Sequence, residues 1–319
     1  MQHLQVSVPA EHTDEVLGVL RESPGLSCLA VLRGASERPA GDVVLADAAR
    51  ESVDGIVDAL RQLDVDSYGT ISITNVDTSV SAAAEQAELD APGEGQDAVI
   101  WEQVVRTADD QSRLSWTFLG FLTIASLIAS IGIVLDSAVL VIGAMVLGPE
   151  FGPIAALCVA AVHGRHHIAR RAASSFGIGF SVAIAVTTML ALISRWLGWI
   201  NDDMLTAQRP ATGFITEPDK WSFIVAFVAG IAGVLALTSS KSGGLVGVFI
   251  SVTTVPAAGN LALAIALGNG GEIGRSLTQL GINVAALLLA GTLTLVVQKL
   301  VWRHVPRARP RSQRRTIRS

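Results

Sequence analysis

The chain is poor in charge, in aromatic rings and in cysteine. Charged residues make up 16% of its 319 residues, against about a quarter in an ordinary soluble protein. A fully water-facing surface over the whole chain is thereby excluded. The two cysteines, Cys28 and Cys158, fall in a polar and an apolar region respectively. A disulfide framework is not expected, and each is expected to pack as a small buried side chain. The N-terminus has no basic start followed by an apolar core, so no cleavable signal peptide is expected. There is no H-E-x-x-H, no G-x-S-x-G, no phosphate loop and no Cys/His pair placed for nucleophilic work. No enzyme, cofactor or metal site is expected from these absences.

What is present is apolar. Hydrophobic residues make up 50% and the mean hydropathy is +0.50. The net charge of −5 hides a division. Residues 1–112 carry about 21 acids and 6 bases, roughly −15, and the remainder is roughly +10. The boundary lies near Arg113.

The polar part reads as α+β. "LQVSV" alternates, "AEHTDEVLGVLRES" has helical spacing, and "LSCLAVLRG" and "DVVLAD" read as strands joined by the turn-rich "ASERPAG". "ESVDGIVDALRQL" places Val53, Ile56, Val57, Leu60 and Leu63 on one helical face, and "ISITNV" alternates again. The order β-α-β-β-α-β over residues 1–78 predicts a ferredoxin-like cytoplasmic domain with a regulatory or assembly role. Residues 79–97 are small, acidic and turn-forming, which predicts a flexible linker. With the following amphipathic helix, interfacial through Trp101 or packed on its own domain, the junction covers 79–112.

Residues 113–302 predict an α-helical polytopic membrane protein with about six transmembrane segments. They run near 114–135, 138–163, 173–197, 221–239, 243–267 and 278–302, each about the 20 residues a crossing helix needs. "HGRHHIARR" and the Arg-rich tail 303–319 are the basic loops. Both termini are therefore expected in the cytoplasm, in a multi-pass cell (inner) membrane protein. The tail arginines fit topology and anionic-lipid contact rather than nucleic acid. His163, His166 and His167 have i, i+3, i+4 spacing, but no carboxylate or cysteine completes a metal set and nearby arginines repel cations.

One stretch breaks the apolar pattern. "VIGAMVLGPEFGPIAALCV" (141–159) holds two Gly-Pro pairs around a glutamate. Proline removes an amide donor, glycine loosens the helix, and a carboxylate at bilayer depth is costly. Shifted by about 105 residues, "GPEFGPIAALCVAAVHGRHHIARRA" falls on "TTVPAAGNLALAIALGNGGEIGRSL", each copy ending in Ile-x-Arg (Ile168, Arg170; Ile273, Arg275). Two three-helix copies, inverted because each has an odd number of crossings, are a pointer to a transporter's central site. Breaks expose backbone groups, which is tolerable only where they face protein or a water-filled cavity. The candidate solute or ion pathway is Gly148, Pro149, Glu150, Gly152, Pro153, Thr253, Thr254, Pro256, Gly259 and Asn260. The competing reading is that the kinks serve helix packing.

"GAMVLGPEFGPI", "GVFISVTTVPAAGNLALAIALG" and the preceding α+β domain resemble the prokaryotic "uncharacterized hydrophobic domain" membrane proteins, family 389 of the domains of unknown function. The resemblance covers most of the chain and implies this architecture without an activity. Members of that family often carry apolar residues at the position of Glu150, and Pro-Pro where this chain has Pro256-Ala257.

The expected function is a membrane transporter or channel for a small polar or ionic solute, regulated or assembled into a homo-oligomer by the N-terminal domain. The alternative is a non-transporting membrane sensor or scaffold whose soluble domain carries the activity. The two differ in one property: a pathway needs a polar, water-accessible cavity at the breaks, whereas a scaffold is dry there.

Overall fold

The computed structural model describes residues 1–91, 99–201, 209–213, 220–239 and 254–304. The described chain forms two compact units, one holding Met1–Glu102 and the other running from Gln103 to Leu237 and from Thr254 to Leu300.

The first unit is built from β1 (Gln2–Val8), α1 (Thr13–Glu22), β2 (Leu26–Glu37), β3 (Ala40–Ala48), α2 (Arg50–Gln62), the single turn α3 (Val65–Tyr68) and β4 (Thr70–Asn75). The sheet order is β2-β3-β1-β4, every pair antiparallel. Each β-α-β crossover is thus split by one inserted strand, as the element order predicts. Period-2 alternation sends Leu4, Val6 and Val8 to one face of β1. There they meet Val16, Leu17 and Leu20 of α1 and Val53, Ile56, Val57 and Leu60 of α2. Each such side chain contributes about 1.5–3 kcal/mol by leaving water. The turn between β2 and β3 is shorter than the composition of "ASERPAG" implies, because both strands extend into it.

The expected linker is corrected at one point. Residues Ala82–Asp90 form a helix, α4, started by Ser81, whose hydroxyl accepts from the Ala83 amide at 3.2 Å. Ala84 and Ala87 are buried, and α4 packs on β2 and β3. Small side chains that look like linker composition are what let a short helix lie close to a sheet.

The second unit contains α6 (Trp116–Val134), α7 (Ala138–Leu147), α8 (Phe151–His163), α9 (His166–Trp196), α10 (Lys220–Thr238), α11 (Thr254–Leu267) and α12 (Gly270–His304). The amphipathic helix α5 (Trp101–Gln111) straddles the division: Ile100 before it lies in the soluble core, and its Val104 and Ala108 are buried. α6, α9, α10 and α12 are each long and apolar enough to cross a membrane, and the bent pair α7–α8 makes a fifth candidate. This is a membrane protein. The expected sixth segment, 243–267, is described only over Thr254–Leu267.

The polar loops expected after the second and fifth segments are shorter than their composition suggests. Gly164 and Gly268 each take a left-handed conformation that ends a helix, and the next helices begin at His166 and Gly270. A hydropathy edge marks the thickness of the hydrocarbon, whereas a helix continues through polar residues into the headgroups. α11 packs between α6 and α9. A cluster of Leu122, Ala125, Ala129, Phe180, Ala183, Val255 and Ala258 fills that contact, and small residues allow the close approach.

Candidate functional site

The break between α7 and α8 follows from its residues. Ser137 starts α7, its hydroxyl accepting from the Leu140 amide. Gly148 before Pro149 takes an extended ψ of 121°, as expected of a residue preceding proline. Pro149 offers no amide to continue the helix. α8 restarts at Phe151, with its axis bent by 51° from α7. Pro153 sits in the first turn of α8, where a missing amide costs nothing.

Glu150 stands at the N-cap of α8 and is fully buried. Thr254 at the start of α11 is also fully buried, and its hydroxyl donates to Glu150 Oε1 at 2.7 Å. Two residues 104 positions apart, each singled out from the sequence, are therefore in contact. A helix N-terminus favours a carboxylate beside it.

The other expected residues divide. Gly148 and Pro149 shape the break. Gly152 packs on Gln111, where an added Cβ would meet the Gln111 side chain at 3.3 Å. Gly259 serves close helix approach, since a Cβ there would stand 3.0 Å from both Ser126 O and Ser130 N of α6. Pro256 is buried within α11. Asn260 is buried too, but it does not join Glu150. Its amide donates to Ser276 Oγ at 2.8 Å and Glu272 Oε2 at 3.1 Å, and its carbonyl oxygen accepts from Arg209 at 3.3 Å. The six residues from Thr254 to Asn260 correspond to about 9 Å along a helix. Thr253 and residues 305–319 of the basic tail lie outside the described residues.

Asp136 binds the 209–213 turn and not the break. It accepts from the Thr212 amide at 2.9 Å, the Thr212 hydroxyl at 2.8 Å and the Ala211 amide at 3.3 Å. The His163 ring lies 3.1 Å from the Val159 carbonyl. Among the described residues no three His, Cys, Asp or Glu side chains gather as a metal set.

Sequence reasoning missed the polar face of α12. Glu272, Ser276, Gln279 and Asn283 are spaced by four, three and four residues, and all are buried. They form one stripe on the inward face, which continues as Ala286, Leu287 and Ala290. Leaving 268–277 between two expected segments hid the first half of the stripe, although the helical spacing of the polar residues was present in the sequence. Its first two members are partnered through Asn260, and Arg275 also reaches Glu272 at 3.3 Å. Its last two differ. Gln279 Oε1 and both amide atoms of Asn283 are buried without a hydrogen-bond partner.

Asn283 lies at the level of the break. One turn before it, Leu280 packs on the cluster that Leu147 and Val255 also join, and one turn after it Ala286 and Leu287 pack with Phe151 and Ile154. Glu150 falls between Leu147 and Phe151, and Val255 follows Thr254. The α11–α12 hairpin gives the same placement. Asn260 pairs with Ser276, so moving back six residues to Thr254 advances the antiparallel partner to about residue 282. The site is therefore Glu150 and Thr254 at the break, with Asn283 and Gln279 on the helix at the same depth.

The geometry can be set beside known proteins. Residues 145–289, which contain the break, α11 and the α12 stripe, match the family described as "Domain of unknown function (DUF389)". An uncharacterized protein of Methanocaldococcus jannaschii is 26% identical over 235 residues, covering 74% of this chain and 69% of the relative. No solved structure matches.

Proposed function

We propose that this member of the DUF389 family is a membrane transporter or channel for a small polar or ionic solute, with its pathway at Glu150, Thr254, Gln279 and Asn283. The observation that carries the reading is Asn283, whose amide is fully buried in an apolar bundle and unpartnered on both atoms. Leaving a buried polar group unsatisfied costs about 1–3 kcal/mol. Packing alone is served better by leucine. A polar group held at that cost beside a broken helix suits a passing ligand.

The finer architecture belongs to the same proposal. α6, α7–α8 and α9 form one copy, and α10, the segment ending in α11, and α12 form the second, inverted copy. The lengths support this: 19 residues in both α6 and α10, 13 and 14 in α8 and α11, 31 and 35 in α9 and α12. The left-handed Gly164 and Gly268 occupy equivalent turns. Six crossings and the basic loops put both termini in the cytoplasm. There the N-terminal unit regulates the pathway or holds a homo-oligomer together, and the arginine tail meets anionic lipid.

The test is flux. The purified full chain in liposomes is challenged with a tracer panel of rubidium-86, chloride-36, labelled glycerol and labelled urea. At least one tracer equilibrates faster than in protein-free vesicles, and Glu150→Gln, which keeps volume and removes charge, slows it. A panel that the protein leaves unchanged supports the sensor or scaffold instead.

A further inference from the structure

The two unpartnered amides on α12 narrow the class of solute, an inference that rests on the pathway reading above. We infer that the site at Asn283 binds a small uncharged solute carrying both hydrogen-bond donors and acceptors, of the polyol or urea kind. The argument is one of satisfaction. Asn283 offers one acceptor oxygen and a nitrogen with two donors, and both atoms are buried and unpartnered. A bare metal cation satisfies the oxygen and leaves the NH2 facing a positive charge. A simple anion such as chloride satisfies the NH2 and leaves the oxygen unpaired. Only a ligand that both donates and accepts completes the group. This conclusion survives exchange of the amide's O and N assignments, because neither atom has a partner.

The surroundings fit that class. Gln279 Oε1, one turn along the same face, asks for a donor. Thr254 donates to Glu150 at the same depth. Arg209 and Glu272 each bind Asn260, and Arg275 binds Glu272, toward the Gly268 end of the hairpin. Phe151, Leu147, Leu280, Val255 and Leu287 enclose the polar groups in apolar walls, as expected where a few polar atoms orient a small ligand.

The tracer panel tests this with two variants, Asn283→Leu, which removes both hydrogen-bonding functions, and Asn283→Asp, which keeps the acceptor and loses the donors. Labelled glycerol or urea should equilibrate faster than in protein-free vesicles, while rubidium-86 and chloride-36 should not. Both variants should slow the neutral tracer by about tenfold or more, and a folded, monodisperse Asn283→Leu protein on size exclusion shows that the loss is local. Passage of rubidium or chloride but not of the neutral tracers overturns the inference and leaves the pathway intact. Passage of no tracer overturns both readings. Neutral flux indifferent to Asn283→Leu also overturns the inference, since the amide would then hold only a fixed water.

Discussion

In the soluble unit Asp42 is as withdrawn from water as Asn283 is in the bundle, at 2% and 0% exposure. Their surroundings differ completely. Asp42 accepts from the Thr13 hydroxyl at 2.8 Å, Arg33 at 2.7 Å and the Gly34 amide at 2.8 Å. The Gly34 amide, then Thr13 and Arg33, hold its carboxyl below the ordinary range. Asn283 has no partner for either amide atom. The first arrangement tethers β3 to α1 and to the end of β2, and nothing is left for a ligand. The second leaves binding capacity unused at a helix break. Buried polarity alone therefore does not mark a site; what sets Asn283 apart is that both its amide atoms are unpartnered, at the level of a helix break.

The comparison is broken or sharpened by substitution. Asp42→Ala should have the largest effect. It strands three donors in the soluble unit and lowers the melting midpoint of that unit by on the order of 10 °C, as read by thermal unfolding followed through the β-sheet signal. An unchanged midpoint would mean that the network contributes nothing. Asn283→Leu should act in the opposite direction, raising the stability of the bundle by about 1–3 kcal/mol in detergent unfolding while solute flux is lost. A destabilised bundle would place Asn283 among the packing residues instead.

A smaller, pH-dependent effect belongs to the soluble unit alone. Burial, then the neighbouring Asp58 carboxylate, push Asp54 up to about 6, while it accepts from the Trp101 amide at 3.2 Å. Its folded pKa lies above the unfolded one, so the protonated form favours folding. That contribution is complete below pH about 4 and is lost as pH rises through about 6. Denaturation of the unit at pH 7.5 should show about 1.4 kcal/mol less stability from this group than at pH 5, and Asp54→Asn should remove the difference. A wild-type stability equal at both pH values would contradict the assignment.

Legibility also differed between the two regions. The sheet and its helices followed from period-2 and period-3.6 patterns, because one buried face writes itself into the order of residues. α4 was hidden by alanines, which read as linker when no partner surface is known. In the bundle the break was plain from Gly148, Pro149 and Glu150, and the repeat brought Thr254 to attention before their contact was seen. Asn260 was placed with the wrong group, because a repeat aligns positions along the chain but does not say which way a side chain turns. The α12 stripe was missed because its polar residues lowered hydropathy at the helix start, and low hydropathy was taken for a loop. Gly259 and Gly152 show the converse, where residues suited to a pathway serve close packing.

The central claim is that solute and water reach the unsatisfied level of the bundle. It is tested most directly by thiol labelling of the full chain in membranes. Asn283→Cys and, as a control, Leu295→Cys are placed on the buried face of α12 in a background with Cys28 and Cys158 replaced by serine. Leu295 is as buried as Asn283 but lies beyond the stripe. A small water-soluble methanethiosulfonate reagent should modify residue 283 readily and leave residue 295 unmodified. Equal absence of labelling at both positions in intact membranes would make the level dry and contradict the account.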